Sequence, residues 1–350
     1  MRIDSRFLVH ALSRVNRAPR GASRALRTRL ALAAGAAAIA LAPAAAAAQE
    51  KLVFLTSWYA QAEHGGFYQA LASGLYKKAG LDVTIRMGGP QVNGMQLLAA
   101  GQADVIMGYD IQTMKAWEQG IPAVTIATSF QKDLQGMMTH DDVTSLAGLK
   151  DHTILVATSG HSSWWPWLKA KYGYTDGQSR PYTFNIQPFL ADRKLAQQGY
   201  PSSEPFAAAG AGAKVNFFLF ADDGYPPYGT TMVTLEKQIK ERPAVMQKFV
   251  QASLEGWKAF FADPAAAVAL IKKDNPNMKD EQIAFAIQRM KALQVLDGGD
   301  AKTAGIGTIR PERFKQTYDM LVGSKLLDAS KVDVTKTYTT QFVRDLKILP

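Results

Sequence analysis

The sequence predicts an α/β fold with two lobes, each a mostly parallel sheet flanked by helices, together with a helical C-terminal region. Three observations predict it. Short apolar segments alternate with amphipathic helical segments between residues 49 and 130, a second alternation begins near Leu149, and helical patterns dominate after Pro243. Alternation of this kind with short loops places parallel strands in one sheet, with helices on both faces.

In the first unit, strands are predicted where a short apolar run ends at glycine or polar residues. These strands are Leu52–Thr56, Leu81–Arg86, Ala103–Met107 and Ala123–Ala127. Apolar residues recur at helical spacing in the segments His64–Lys78, Val92–Ala100 and Ile111–Gln119. Ligands on such sheets bind beyond the C-terminal strand ends, and these ends carry Trp58, the segment 88–93, and Tyr109 with Asp110.

In the second unit, the predicted strands are Thr153–Ala157, Tyr182–Ile186 and Phe217–Ala221, with a polar segment over residues 197–205. Ser162 or Ser163 is a natural N-cap for the tryptophan-rich helix that follows. Four C-terminal helices begin at Pro243, Asp263, Asp280 and Arg310.

The predicted domain organisation is a signal peptide, a discontinuous first lobe and a continuous second lobe. The signal peptide is residues 1–48, the first lobe is 49–137 with 231–350, and the second lobe is 138–230. Hinge crossings are predicted near Gln131–Thr139 and Asp222–Thr231. Ligand bound between the lobes would favour closure, because only the closed state buries both of its faces.

The leader has a basic start, an apolar middle and a small-residue cleavage site. It carries eight arginines and Asp4, then the alanine-rich run Leu30–Leu41, Pro43, and Ala46-x-Ala48 before Gln49. This layout predicts a cleaved secretory signal and a periplasmic protein with no stable membrane insertion after cleavage. An uncleaved anchor is the alternative, which the weakly apolar alanines and Pro43 disfavour.

Composition excludes several functional classes. The leader holds +7 of the +10 formal charge, so a near-neutral remainder of +3 predicts no nucleic-acid partner. The absence of cysteine excludes disulfides, thiolate metal sites and cysteine nucleophiles. No phosphate-binding or hydrolase motif occurs, and the histidines after the leader lack metal-ligand spacing. We therefore expect neither an enzyme nor a bound cofactor or metal.

The candidate binding residues are aromatic and polar side chains at strand ends and helix starts. They are Trp58, Tyr59, Glu63, His64, Tyr109, Asp110, Gly160, His161, Ser162, Ser163, Trp164, Glu204, Tyr225 and Tyr228. Aromatic faces sandwich flat ligands, while carboxylates and amides bind ring N–H and C=O groups. The nearest cationic candidates are Lys132, Arg180 and Arg193. This scarcity favours a neutral or weakly basic planar ligand over sulfonate or nitrate.

An aromatic turn without a ligand is the alternative for residues 57–74, and core packing is the alternative for at least one of Trp164, Trp165 and Trp167.

Four stretches resemble a known family. S-W-Y-A-Q-A-E-H-G-G-F-Y-Q-A at 57–70 resembles the W-x-P-N-x-x-H-x-G signature of the binding proteins for thiamine pyrimidine precursors. G-L-Y-K-K-A-G-L-D-V-T-I at 74–85 and L-L-A-A-G-Q-A-D-V at 97–105 are typical of the wider group, which includes nitrate, sulfonate and taurine binders. Q-Q-G-Y-P-S-S-E-P at 197–205 resembles the second-lobe segment that carries a ligand-contacting glutamate.

This resemblance implies a type II periplasmic solute-binding protein, monomeric, that delivers its ligand to an ABC transporter permease and its ATPase. It implies that Trp58 stacks on the ligand ring and that His64 supports the surrounding loop. It also implies that Gly160–Ser163 supply hydrogen-bond donors and that Glu204 binds ring N–H or amino groups. Ala60-Gln61 replaces the Pro-Asn of the signature, so specificity is expected to depart there.

Other functions remain open from the sequence. The same fold would serve a binder of sulfonate, nitrate or an aromatic acid, and a ligand sensor that docks on a membrane receptor. A periplasmic hydrolase using Glu63, His64 and Ser162 is the enzymatic alternative, although no nucleophile–base spacing supports it. Eukaryotic relatives that synthesise the pyrimidine use iron and a cysteine cluster, and a chain without cysteine does not resemble them in that respect.

Overall fold

The computed structural model describes residues 48–350, so the predicted signal peptide lies outside the described residues except for Ala48. Ten strands form two five-stranded sheets. The first five strands are β1 (Glu50–Leu55), β2 (Leu81–Arg86), β3 (Val105–Gly108), β4 (Ala123–Phe130) and β5 (Gly136–His140). The remaining five are β6 (Thr153–Val156), β7 (Ser179–Pro181), β8 (Leu195–Gly199), β9 (Val215–Leu219) and β10 (Gly229–Leu235).

Both sheets follow the same plan. The first has the order β2-β1-β3-β10-β4 and the second has the order β7-β6-β8-β5-β9. In the first sheet β1 is parallel to β2 and β3, while β10 runs antiparallel to β3 and β4. In the second, β6 is parallel to β7 and β8, while β5 runs antiparallel to β8 and β9. Four of five strands in each sheet therefore share one direction, which confirms the predicted fold class.

Helices flank the sheets and dominate the C-terminal region. The α-helices are Gly65–Ala72, Leu75–Lys78, Gly94–Ala99, Asp110–Glu118, Thr158–His161, Trp165–Tyr172, Gln187–Ala191, Glu204–Gly210, Glu236–Glu241, Pro243–Ala262, Ala265–Asp274, Asp280–Ala292, Ala301–Ala304 and Pro311–Gly323. Short 3-10 helices span Ala62–His64, Leu146–Leu149, Asp176–Gln178, Phe220–Asp223 and Val334–Lys336. In the part of the chain that the structure describes, no helix is long and apolar enough to cross a membrane.

The chain passes between the sheets twice. It leaves the first sheet between β4 and β5, through residues 131–135, and returns between β9 and β10, through residues 220–228. Strand β10 then inserts between β3 and β4, which fixes the return in the middle of the first sheet. These crossings lie in the regions where hinges are predicted. The lobe boundaries at 137/138 and 230/231 stay a prediction.

The largest apolar cluster lies between the first sheet and the helices Gly65–Ala72 and Pro243–Ala262. These helices approach so closely that a Cβ added at Gly256 would lie 2.2 Å from the Gly66 carbonyl oxygen. A second cluster contains Trp164, Trp165 and Trp167, so the core alternative for the tryptophans is confirmed. It also includes residues from the helix Pro311–Gly323. The C-terminal region therefore packs against segments that connect strands in both sheets.

Several sequence predictions differ from the structure, and strands β5 and β10 were not predicted. The N-cap of the tryptophan-rich helix is Trp164 and not Ser162 or Ser163. Residues 182–186 are not a strand, because the edge strand is β7, and Phe184 has a φ of 60° that extended backbone does not allow. The polar segment at 197–205 begins inside the central strand β8, whose Gln197 and Gln198 are buried. The predicted helix His64–Lys78 is interrupted near Gly74, whose φ is 73°.

Candidate ligand-binding site

A pocket opens where the C-terminal ends of strands from both sheets meet. The cavity itself has a volume of about 40 Å³, within about 460 Å³ of unfilled space that includes the open mouth. It is lined by Ser57, Trp58, Gln61, His64, Tyr109, Gln135, Ser159, Gln198, Gly199, Tyr200, Ser203 and Glu204. Ser57 and Tyr109 follow β1 and β3, while Ser159 and Tyr200 follow β6 and β8. This is the position at which open α/β sheets bind ligands.

The pocket has an aromatic wall built from both sheets. The Trp58 ring stacks on Tyr182, with centroids 5.9 Å apart and planes 16° apart. The Tyr59 ring meets Trp58 edge-on at 6.2 Å. Tyr182 is buried and does not line the pocket, whereas Trp58 is half-buried and lines it, so the indole offers an aromatic face to a ligand. Such a surface stacks on a planar ring.

Glu204 is the carboxyl group of the pocket. Its Oε1 accepts a hydrogen bond from the Tyr182 hydroxyl at 2.7 Å, and its Oε2 accepts one from the Tyr200 backbone N–H at 2.8 Å. It lies against Gly199, where a Cβ would come within 2.6 Å of Oε2, so this close approach requires glycine. Burial raises the pKa of Glu204 to about 7, although the two hydrogen bonds act to lower it. Near neutral pH the group can therefore accept or donate a hydrogen bond to a ligand.

His64 supplies a neutral imidazole. Only 1% of the residue is exposed, and burial lowers the pKa of His64 to about 3. Its Nδ1 has no hydrogen-bond partner among the described residues, although the residue lines the pocket. A buried polar atom without a partner is unfavourable unless something binds it. The structure thus places His64 at the pocket wall, whereas the resemblance implies a supporting role for it.

Side-chain amides complete the lining. Gln198 Oε1 accepts from the Ala157 N–H at 2.5 Å, and Gln135 Nε2 donates to the Gly199 carbonyl at 3.2 Å. Gln61, where the sequence departs from the family signature, is also a lining residue. Among the described residues, those that line the pocket include no lysine or arginine. The pocket is therefore mostly apolar with a few polar groups and one carboxyl group, which disfavours a strongly bound anion.

Glu63 does not line the pocket but joins the two halves of the protein beside it. The Ser202 hydroxyl donates a short hydrogen bond to Glu63 Oε1, and only 1% of Glu63 is exposed. Burial raises the pKa of Glu63, partly opposed by this hydrogen bond. Tyr109 and Tyr200 make a second bridge, with hydroxyl oxygens 2.8 Å apart. These bonds connect the loops that follow strands of different sheets.

The turn at residues 158–163 contributes less than predicted. Gly160 packs under Trp164, with a would-be Cβ 2.6 Å from the ring. His161 meets the edge of Trp165, and its Nε2 lies 3.2 Å from Ser179 Oγ. Ser162 and Ser163 both donate to the Ser159 carbonyl. Within this turn, Ser159 is the residue that lines the pocket.

Four other predicted residues are structural. Trp164, Tyr225 and Tyr228 are buried in the second apolar cluster and are not lining residues, because their rings fill the space next to the crossing segments. Asp110 is fully buried, and its Oδ2 accepts from the Tyr228 N–H at 3.3 Å and the Thr317 hydroxyl at 3.2 Å. Of the predicted residues, the structure therefore brings Trp58, His64, Tyr109 and Glu204 together at the pocket.

Sequence reasoning missed eight lining residues, namely Ser57, Gln61, Gln135, Ser159, Gln198, Gly199, Tyr200 and Ser203. Several of these lie in the stretches that resemble the family, at 57–70 and 197–205. The sequence signal that could have located some of them is the pair Gln197-Gln198 followed by Gly199, upstream of Glu204. Gln135 had no such signal, because it lies in the crossing segment after β4.

Above pH 7, Glu204→Gln is expected to be more stable, relative to wild type, than at pH 5. The raised pKa means that folded Glu204 holds its proton between its ordinary value of 4.5 and about 7. Its contribution to stability is therefore present at low pH and is lost as pH rises through that window. The difference in free energy of unfolding, variant minus wild type, should rise by about 2 kcal/mol between pH 5 and pH 8. Urea unfolding at the two pH values measures it.

The control for this substitution is Glu241→Gln, which changes an exposed glutamate at the end of the helix Glu236–Glu241. It measures how far neutralising an exposed glutamate changes the free energy of unfolding at each pH. A Glu204→Gln difference that changes no more between pH 5 and pH 8 than that of Glu241→Gln would show that Glu204 is ionised in the folded protein throughout.

The fold and pocket define a class of protein that binds a small solute between two α/β sheets. A family model described as NMT1/THI5 like matches residues 61–267, more than half of the chain. The chain belongs to this family. The predicted class, a solute-binding protein of ABC-type import, is confirmed.

Two curated relatives cover most of the chain. The riboflavin-binding protein RibY of Chloroflexus aurantiacus is 23% identical over 312 residues, which cover 84% of this chain and 86% of that protein. The formylaminopyrimidine-binding protein of Halalkalibacterium halodurans is 24% identical over 262 residues, which cover 70% of this chain and 79% of that protein.

Solved structures show the same fold at low sequence identity. The periplasmic aliphatic sulphonate-binding protein SsuA of Escherichia coli has a TM-score of 0.58 at 16% identity, covering 82% of this chain and 91% of that one. The desulfurization enzyme DszB has a TM-score of 0.55 at 13% identity, covering 85% and 99%. The fold thus carries both binding proteins and an enzyme. Within residues 48–350, no group of three or more His, Asp or Glu residues is arranged to hold a metal ion.

Proposed function

We propose that the protein captures a planar nitrogen heterocycle, uncharged or weakly basic and pyrimidine-like, and delivers it to an ABC importer. One observation carries the proposal. The pocket combines the Trp58 face with the carboxyl group of Glu204, and its described lining contains no cationic side chain. A ring that stacks on the indole and offers an N–H or amino group to Glu204 satisfies both features.

The polar atoms around Glu204 support a ligand with both donors and acceptors. His64, whose buried Nδ1 has no hydrogen-bond partner among the described residues, and Gln61 both line the pocket. With a pKa near 7, Glu204 can donate to a ring nitrogen when protonated or accept from an amino group when ionised. Two relatives carry the names riboflavin-binding and formylaminopyrimidine-binding, and both named ligands are planar nitrogen heterocycles.

Anions fit this pocket less well. Sulfonate and nitrate are held by charge-assisted hydrogen bonds, for which arginine and lysine are the usual donors. Here the titratable side chains at the wall are Glu204, His64 and two tyrosines, and an ionised Glu204 repels an anion. We therefore place sulfonate, nitrate and aromatic acids behind heterocycles as ligands, and we propose binding without turnover.

The rest of the proposal concerns export and assembly. We propose that residues 1–48 are removed as a signal peptide and that the remaining chain acts in the periplasm as a monomer. The lobes 49–137 with 231–350 and 138–230 are proposed to close on the ligand and open at the two crossings. The closed form is then the one presented to the permease.

A thermal-shift panel tests the proposed ligand class. Wild-type protein should gain stability with one or more neutral aminopyrimidines, purines or flavins, because a ligand that binds only the folded state raises its melting temperature. Alkanesulfonates, nitrate and benzoates at the same concentrations should leave the melting temperature unchanged. Stabilisation by these anions and by no heterocycle would overturn the proposal.

A further inference from the structure

Phe184 has an unusual backbone conformation close to the pocket. Its φ is 60°, in the left-handed region that a bulky residue with a Cβ rarely occupies. It lies in the irregular segment 182–186, just after the edge strand β7. Strain of this kind persists only where neighbouring contacts hold it, and it concentrates at ligand clamps and switch segments.

The contacts that hold Phe184 come from both sheets. Its ring centroid lies 6.0 Å from that of Trp58, 6.0 Å from that of Tyr59 and 6.4 Å from that of Tyr182. Trp58 and Tyr59 follow β1 in the first sheet, while Phe184 and Tyr182 follow β7 in the second. The Phe184 ring therefore joins elements on the two sides of the pocket, behind the indole that lines it.

We propose that Phe184 is a gating residue, which holds Trp58 and Tyr59 against the second sheet and must release them before a planar ligand enters or leaves. This inference rests on the proposed function, because it concerns access to the same pocket. It adds a residue that does not line the pocket but controls the position of the indole that does.

The balance of forces at Phe184 suits a gate. Two cross-sheet aromatic contacts favour the closed arrangement, each a modest interaction beyond simple burial. The left-handed backbone opposes it, since relaxing φ is possible only once the ring is free. When the contributions that favour and oppose the closed arrangement are similar in size, a ligand that displaces the favourable contacts shifts the segment to the open arrangement. Phe184→Ala removes the ring but keeps the Cβ that makes positive φ unfavourable, so it should shift the balance towards the open state.

A thiol-accessibility experiment tests the gate without any ligand. The chain has no cysteine, so one introduced thiol reports one position. Ser203→Cys places it in the pocket lining, where Ser203 is 6% exposed. Its reaction rate with N-phenylmaleimide, a planar neutral reagent, then follows the population of the open state. We expect Phe184→Ala to raise this rate about tenfold, which corresponds to the loss of two aromatic contacts.

Two controls separate gating from general destabilisation. Ser129→Cys reports unfolding of the first sheet, because Ser129 is buried in β4 and its hydroxyl has no hydrogen-bond partner among the described residues. Phe184→Ala should leave the labelling rate at Ser129→Cys unchanged. Lys325→Ala shortens another side chain at a positive φ, of 56°, outside the pocket lining and should change neither rate.

Two results would overturn the gate. One is an unchanged rate at Ser203→Cys in the Phe184→Ala background, and the other is an equal increase at Ser203→Cys and Ser129→Cys. The outcome is independent of the ligand panel. If the labelling rate rises as expected but no heterocycle stabilises the protein, only the proposed ligand class is rejected. If a heterocycle stabilises the protein but the labelling rate does not respond as expected, only the gate is rejected.

Discussion

Arg313→Met is expected to lower the free energy of unfolding by about 3 kcal/mol at pH 8. The guanidinium donates to the Gln131 carbonyl of the outgoing crossing at 2.5 Å. It also donates to the carbonyls of Pro226 and Pro227 in the return crossing, at 2.8 and 2.9 Å. One side chain on the helix Pro311–Gly323 thus fastens both crossings between the sheets, and methionine fills similar space without donating to any of them.

The loss should be smaller at pH 5, because Arg313 also faces buried carboxyl groups. Burial raises the pKa of Asp110 to about 6 and that of Asp133 to about 7, and the charge of Arg313 acts to lower both. Their raised pKa values mean that stability is lost as pH rises from about 4 to these values. Removing the cation raises the pKa of both carboxyl groups further, so the deficit of the variant grows as pH rises above the wild-type values of about 6 and 7.

The matched control is Arg310→Met, at the start of the same helix. Arg310 makes an exposed ion pair with Asp300 at 3.3 Å, and such pairs contribute about 0.5 kcal/mol or less. Urea unfolding of both variants at pH 5 and pH 8 measures the difference. An Arg313→Met deficit as small as that of Arg310→Met, or one that does not change with pH, would contradict this account of the crossings.

Trp58→Ala is expected to weaken binding of a stabilising heterocycle about a hundredfold, the largest effect that we expect at the pocket. The substitution removes the indole face from the lining and also the partner of Tyr182. Trp58→Phe keeps a ring and should lose about tenfold or less. Isothermal titration with the compound that gives the largest thermal shift measures both. Equal affinity in Trp58→Ala and wild type would exclude stacking at this position.

The fold was largely predictable because its strands are short apolar runs bounded by clear stops. The strand Leu81–Arg86 is predicted at both of its observed ends and the helix Asp280–Ala292 at its observed start, where glycine or an acidic residue marks the boundary. Strand β8 was not, because its buried Gln197 and Gln198 look like a loop in sequence. Their side chains have polar partners that only the folded chain provides, such as the Ala157 N–H.

The site was predictable in part for the same reason. Trp58, Tyr109 and Glu204 lie at strand ends or helix starts, which sequence patterns locate. Glu63 and Asp110 occupy similar positions, yet each is bonded to a residue more than a hundred positions away, Ser202 and Tyr228 respectively. Whether a strand-end carboxylate faces a pocket or a protein donor depends on such distant partners. Sequence spacing carries no information about them.

Identification of the molecule that co-purifies with the protein tests the central claim most directly. Protein isolated from the periplasm under native conditions would be denatured, and the released small molecules would be analysed by mass spectrometry. Glu204→Ala with Trp58→Ala, prepared identically, provides the control. The account predicts a planar nitrogen heterocycle without net negative charge, present with wild type and depleted in the double variant. A sulfonate or other organic anion that co-purifies with wild type at about one molecule per protein molecule would contradict it.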